Sequence, residues 1–290
     1  MKKWILFLFL TLVSLSQPGY AQEMLTIKGS DTMAALVQQM AEAYLEHDPD
    51  IFVSVTGGGS GTGLAALMNR KCDIVNSSRA IKKEEEDRAR ENGVDPVAVI
   101  IALDGLSIIV HGSNPVETLT VPQIAQIFRG EIKNWKELGG EDIPIGLYGR
   151  QPHSGTYAFF RDKILKADYP KNILQLNGNA EIVEAVQRDA SGIGYVGIGF
   201  IKNARDIHVI RIAEAPDADY ISPLDSSAVQ SGQYPLSRPL YQYVHGMPAE
   251  QIKSFLLFEL GEEGQKIVGE GGFIVISETE KELNRHKAGL

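Results

Sequence analysis

Two periodicities alternate along the chain. Leu25-Thr26-Ile27 is a short apolar run that ends at Gly29 and reads as a β-strand. Residues 33–46 instead carry apolar side chains at helical spacing until Asp48-Pro49 stops them. The alternation then repeats. Residues 51–55 predict a strand, 57–61 a glycine loop, 64–68 a short helix, Ile74-Val75 a strand and 82–91 a charged helix. Residues 97–110 form one apolar stretch broken by Asp104-Gly105. This βαβα rhythm predicts a largely parallel sheet covered by helices.

A second α/β set follows. Residues 122–128, 156–165 and 180–187 predict helices, and 143–148 and Ile193-Gly194-Tyr195-Val196 predict strands. The segment 216–237 is rich in Pro, Ser and Asp and reads as irregular. A strand at 240–244 and helices across 249–268 close the pattern. No repeat of solenoid length and no low-complexity tract interrupts it.

The N-terminus departs from both periods. Lys2-Lys3 precede an apolar run over residues 4–13, and a polar stretch follows, ending in Gly19-Tyr20-Ala21. That order predicts a secretory signal peptide, residues 1–21, cleaved near Ala21; the run is too short for a membrane span of roughly 20 residues. An exported, periplasmic protein is therefore expected. Cys72 is the single cysteine, which excludes an intramolecular disulfide framework, and its place just before an apolar strand predicts a buried, inert thiol.

The whole chain carries a net charge of −9, and removing residues 1–21 takes away two lysines and no acid, leaving 26 basic against 37 acidic residues, or −11. Nucleic acid and anionic membranes are poor partners for such a surface. An acidic protein can still bind an anion when the site uses local dipoles in place of global charge.

Four stretches have that chemistry: Gly29-Ser30-Asp31-Thr32, the run from Gly57 to Gly63 containing Ser60, Asn76-Ser77-Ser78-Arg79, and Arg150 with Ser154-Gly155-Thr156. Each sets small hydroxyl residues and glycines where a strand gives way to a helix. Unpaired N–H groups and a partial positive charge at a helix N-terminus suit a compact oxyanion. The plainer reading of each motif alone is a helix cap; four together favour a shared anion site. The glycine run lacks the lysine of a nucleotide-phosphate loop, and no acidic residue follows at the distance a dinucleotide fold requires.

In the order and spacing of these motifs the chain resembles the phosphate-binding proteins of bacterial ABC phosphate importers, in their shorter, Ser-Ser-Arg branch. The likeness extends to Asp104-Gly105, to the stretch from Ile127 to Trp135 and to Ile193-Gly194-Tyr195-Val196-Gly197. It implies an α/β, two-lobed periplasmic-binding-protein fold of type II, each lobe a mainly parallel sheet flanked by helices, with phosphate between them. Lobe I is expected to take residues 24–105 plus 240–290 and lobe II residues 106–239, joined by two hinge crossovers.

The resemblance also implies site residues. Arg150 with Ser154, Gly155 and Thr156 corresponds to the main anion clamp, Ser30, Asp31 and Thr32 to the first helix N-terminus, and Ser60 to the serine of the glycine loop. Ser77, Ser78 and Arg79 complete the expected shell. Arg79 stands where the longer branch has the aspartate that accepts the phosphate proton, so Asp104 is the candidate acceptor. A structural role for Asp104, in a turn or paired with Arg79 or Arg150, stays open. The expected partners are inorganic phosphate and the permease subunits of an importer, with the protein a monomer and no cofactor or metal. Two alternatives remain: a binding protein for another tetrahedral oxyanion, and a secreted phosphohydrolase. The second lacks sequence support, because the six histidines are scattered without metal-ligand spacing and adjacent His153-Ser154 is a poor base–nucleophile pair.

Overall fold

The apolar runs assemble into two five-stranded sheets in the computed structural model, which describes residues 23–290. The expected signal peptide lies outside the described residues. In chain order the first elements are β1 (Glu23–Gly29), α1 (Asp31–His47), β2 (Ile51–Gly58), α2 (Ser60–Met68), β3 (Ile74–Ser77), α3 (Lys83–Glu91) and β4 (Pro96–Gly105). A second group comprises β5 (Ser107–His111), β6 (Thr118–Thr120), α4 (Val121–Phe128), β7 (Gly146–Arg150), α5 (Gly155–Phe160), β8 (Leu174–Leu176), α6 (Asn179–Arg188), β9 (Gly192–Val196), β10 (Ile207–Val209), β11 (Arg211–Ala213) and α7 (Ser226–Gln230). The chain then returns through β12 (Ser237–His245), α8 (Glu250–Leu260), α9 (Glu262–Glu270) and α10 (Glu278–Ala288).

The first sheet has the order β2-β1-β3-β12-β4 and the second β10-β5-β9-β7-β8. In each, four strands run one way and one runs against them, β12 in the first and β5 in the second. These opposed strands are entered directly from the other lobe, with no helical crossover to reverse the chain. Helices cover both sheets, so the central strands are buried on both faces, as in β3 and β9, where every residue is buried. Helix α1 shows the matching pattern: Met33, Leu36, Val37, Met40, Ala41 and Tyr44 form its buried stripe.

The two crossovers lie side by side. Leu106 N–H donates to Leu236 O at 3.1 Å, and the buried Tyr234 hydroxyl donates to Leu106 O at 2.8 Å. β12 joins the first sheet at Ser237, three residues before position 240, and runs antiparallel to β4 from Ser237 opposite Gly105 to His245 opposite Pro96. Pro239 is tolerated in this strand because the β3 pairing reaches only Tyr241, so β12 is paired on one side there.

Several elements differ from the sequence reading, each for a local reason. The glycine loop is short: Gly57 and Gly58 end β2, and α2 already begins at Ser60. Residues 143–145 do not enter the sheet, because Trp135 N–H donates to Ile143 O and Ile145 N–H to Lys133 O, so β7 starts at Gly146 and reaches Arg150. The irregular segment contains α7, capped by Asp225. Helix α10 escaped the hydrophobic pattern because it is mostly polar. A capping box between Ser277 and Glu280 starts it, and Asn284 holds it by bonding both the N–H and the C=O of Ile100.

Candidate anion site between the lobes

The ends of β1, β2, β3 and β7 meet at one place. Gly29 makes this possible: its φ is +136°, and a Cβ there would lie 2.1 Å from Asn76 O. With that close approach, Ser30 N–H donates to Asn76 O at 2.8 Å and the head of α1 is seated against β3. Asp31 then accepts from Gly58 N–H through Oδ1 at 2.7 Å and from Arg150 Nη2 through Oδ2 at 2.8 Å.

Four hydroxyls form a chain across the lobe boundary. Thr32 Oγ1 lies 3.1 Å from Thr156 Oγ1, Thr156 Oγ1 lies 3.4 Å from Ser78 Oγ, and Ser78 Oγ lies 3.4 Å from Ser60 Oγ. Ser60 Oγ also accepts the Ser78 N–H, at 3.1 Å. All four residues are buried. Ser154 caps α5, its hydroxyl accepting from the N–H groups of Thr156 and Tyr157. Gly155 follows because nothing larger fits: a Cβ would lie 2.2 Å from Ser60 Oγ and 2.7 Å from Ser78 Oγ.

Arg150 is only 1% exposed. Its backbone N–H donates to the Tyr195 hydroxyl, and Nη2 bonds both Asp31 and Asn177 O. Nε and Nη1 are buried with no hydrogen-bond partner among the described residues. Burial pushes this guanidinium below its ordinary pKa; Asp31 works against that shift, and the charge of Arg238 adds to it. Arginine remains charged even so.

Not every expected residue reaches this cluster. Arg79 turns away: its guanidinium grips Glu85 at the start of α3 with two bonds, of 2.7 and 2.6 Å. Burial works to raise the Glu85 carboxyl, but the bonds from Arg79 and the Lys82 N–H, with their charges, hold it below the ordinary glutamate value. Ser77 donates to Arg79 O and so serves the same turn. Ser30 contributes its backbone N–H to the β3 seat.

Asp104 is the main correction. Its Oδ2 accepts two N–H groups from Arg238, at 2.9 and 2.7 Å, and its Oδ1 accepts from Ile198 N–H at 2.8 Å. The carboxylate is fully buried and bonded to these donors, with no hydrogen bond to the hydroxyl chain. Burying that charge requires such partners.

The sequence reading missed Arg238, Asn179, Tyr195 and Asn177. Asn179 bridges the lobes, donating to Thr32 Oγ1 at 3.3 Å and accepting from Gly197 N–H at 3.2 Å. For Arg238 a signal existed: a lone arginine in an apolar stretch, on a strand whose pairing with residues 96–105 sets it opposite the buried Asp104.

The assembled site contains two guanidiniums, each paired with one carboxylate, so its formal charge balances. What remains are N–H and O–H donors converging from both lobes, which suits a compact, multiply charged oxyanion. None of the four hydroxyls has a histidine or carboxylate partner among the described residues. No group of three His, Cys, Asp or Glu side chains among them is placed to hold a metal.

Comparison with known proteins gives a consistent result. A family model described as a PBP superfamily domain matches residues 14–263. The phosphate-binding protein PstS of Pseudomonas aeruginosa is 33% identical over 264 residues, covering 85% of this chain and 81% of that one. A Clostridium perfringens protein, described as a phosphate ABC transporter substrate-binding protein and solved with bound phosphate, superposes with a TM-score of 0.78 at 31% identity, covering 88% of this chain and 100% of the other. An ABC-type phosphate transport receptor from Vibrio cholerae gives a TM-score of 0.71 at 29% identity, covering 87% and 99%.

Proposed function

The chain belongs to the PBP superfamily and, within it, to the phosphate-binding proteins of ABC importers, and from that premise we propose that it captures inorganic phosphate between its lobes and hands it to a membrane permease. One observation carries the reading: Arg150 keeps Nε and Nη1 buried with no hydrogen-bond partner among the described residues, and it is bonded to Asp31, whose neighbour Thr32 belongs to a chain of four buried hydroxyls contributed by both lobes. Buried donors left unmade are costly, and an oxyanion with four acceptor oxygens would satisfy them at once. The clamp is Arg150 with Ser154, Gly155 and Thr156 from lobe II and Thr32, Ser60 and Ser78 from lobe I. Asp31 orients the guanidinium.

Lobe I comprises residues 24–105 and the chain from Ser237 onward, where β12 joins the first sheet three residues before the expected position 240, and lobe II comprises residues 106–236, with the paired crossovers at Leu106 and Leu236 as the hinge. Closure around the anion forms the surface that the permease recognises. The protein is exported to the periplasm and works as a monomer. It is a carrier and not an enzyme: hydroxyls with no basic partner among the described residues lack the activation that a phosphohydrolase nucleophile needs.

Thermal unfolding of protein stripped of anion tests the central claim. Phosphate at a hundred times its Kd should add about 2.7 kcal/mol of stability, and the melting temperature should climb with its concentration. Sulfate, arsenate and molybdate in parallel measure selectivity. A melting curve that phosphate leaves unmoved rejects the assignment.

A further inference from the structure

Asp104 and Arg238 are Cα partners in the pairing of β4 with β12, the two strands that carry the chain out of lobe I and back into it. Both are essentially fully buried. Each also reaches into lobe II. Asp104 accepts from Ile198 N–H at 2.8 Å, while Arg238 Nη2 donates to Thr156 Oγ1 at 3.1 Å and its guanidinium carbon lies 5.2 Å from the centre of the Phe159 ring. Arg238 Nη1 donates to Ser78 O at 3.1 Å. One guanidinium thus touches the hinge carboxylate, the loop that carries Ser78 and the head of α5.

A buried ion pair is weak evidence for stability, since apolar residues of similar volume often stabilise as well or better. Geometry is the better explanation. Lysine at 238 would supply charge to Asp104 but could not bond Asp104, Ser78 O and Thr156 Oγ1 along three fixed directions. We infer that Arg238 is a positioning residue of the anion site: anchored on Asp104 at the hinge, it sets the Ser78 peptide and the Thr156 hydroxyl and latches α5 to lobe I in the closed form. The inference rests on the phosphate reading above. Opening the lobes must break the contacts to Thr156 and Phe159, so Arg238 governs how long the closed complex lasts more than how fast it forms.

Dissociation of radiolabelled inorganic phosphate, chased with unlabelled phosphate, gives the test, with association and ligand-free melting measured on the same proteins. Arg238→Lys should release phosphate at least about tenfold faster, with association within about threefold of wild type. Its melting temperature should stay within about 4 °C of wild type. Thr156→Val should cost less affinity in the Arg238→Lys background than in wild type, because the two side chains act together. Wild-type release from Arg238→Lys, or strictly additive effects, overturns the inference even if Arg238→Ala fails to fold. Wild-type protein that binds no phosphate overturns the functional assignment, and this inference with it.

Discussion

Asp31 Oδ2 lies 2.8 Å from Arg150 Nη2, an ion pair between residues 119 positions apart that joins the head of α1 in one lobe to the end of β7 in the other. The pair is asymmetric, with Arg150 1% exposed and Asp31 25%. The carboxylate fixes one edge of the guanidinium, while Nε and Nη1 stay buried with no hydrogen-bond partner among the described residues. Asp31 thereby aligns the cation without consuming it.

Arg150 should dominate affinity. Removing one member of a dehydrated, charge-assisted contact costs on the order of 2–5 kcal/mol. Arg150→Lys should weaken phosphate by at least about tenfold, each tenfold being about 1.4 kcal/mol, and Arg150→Ala by more. Calorimetric titration checks this, and wild-type affinity in the alanine variant would remove Arg150 from the site.

The two carboxylates should behave differently toward selectivity. Asp104 already holds three N–H donors, so Asp104→Asn should weaken phosphate and sulfate together and keep their ratio within about threefold. Asp31 lies at the head of the site, with one partner on each oxygen, and can still accept the phosphate proton, which fully ionised sulfate lacks. Asp31→Asn should therefore narrow the phosphate–sulfate gap. Parallel titrations decide, and a ratio that moves only in Asp104→Asn reverses the assignment.

Gly155→Ala should block closure. Its methyl would meet Ser60 Oγ at 2.2 Å and Ser60 Cβ at 2.8 Å, atoms that belong to the opposite lobe. Ligand-free stability should change by less than about 1 kcal/mol, because the clash exists only when the lobes are shut. Affinity should fall about a hundredfold. Small-angle scattering should show no compaction at phosphate levels that compact the wild type; compaction in the variant would mean that the lobes tolerate the methyl.

Glu259 sets a pH dependence independent of the ligand. It is fully buried on α8, bonded to Gln242 Nε2 at 3.0 Å, and its Oε2 has no partner among the described residues. Desolvation raises its pKa well above the ordinary value, with only the Gln242 bond opposing it. The folded state therefore keeps this proton after the unfolded chain has lost it. Its contribution is full below the unfolded value of 4.5 and is lost as pH climbs toward the folded value. Glu259→Gln should gain stability over wild type by roughly 1.4 kcal/mol per pH unit across that window. Urea unfolding at pH 5, 6 and 7 measures the difference; one that does not grow with pH would show that Glu259 is charged in the fold.

Much of this protein could be read from the chain itself. Local hydrophobic period suffices for elements such as α1 and β9, because each buries a face whose spacing is written in neighbouring residues. Glycine and hydroxyl residues at strand ends likewise single out Thr32, Ser60, Ser78 and Ser154-Gly155-Thr156, which the fold brings into contact, since helix N-termini need local donors and close backbone approach. What escaped depends on contacts between distant segments. Arg79 and Ser78 are neighbours in an identical sequence context, yet one grips Glu85 and the other joins the hydroxyl chain. Asp104 looked like an acceptor until the register of β4 with β12 set Arg238 opposite it. A buried charge is defined by its partner, and that partner was 134 residues away. Sequence determined which chemistry the chain carries; the packing of two lobes decided which hydroxyls meet across the boundary and which charges neutralise one another.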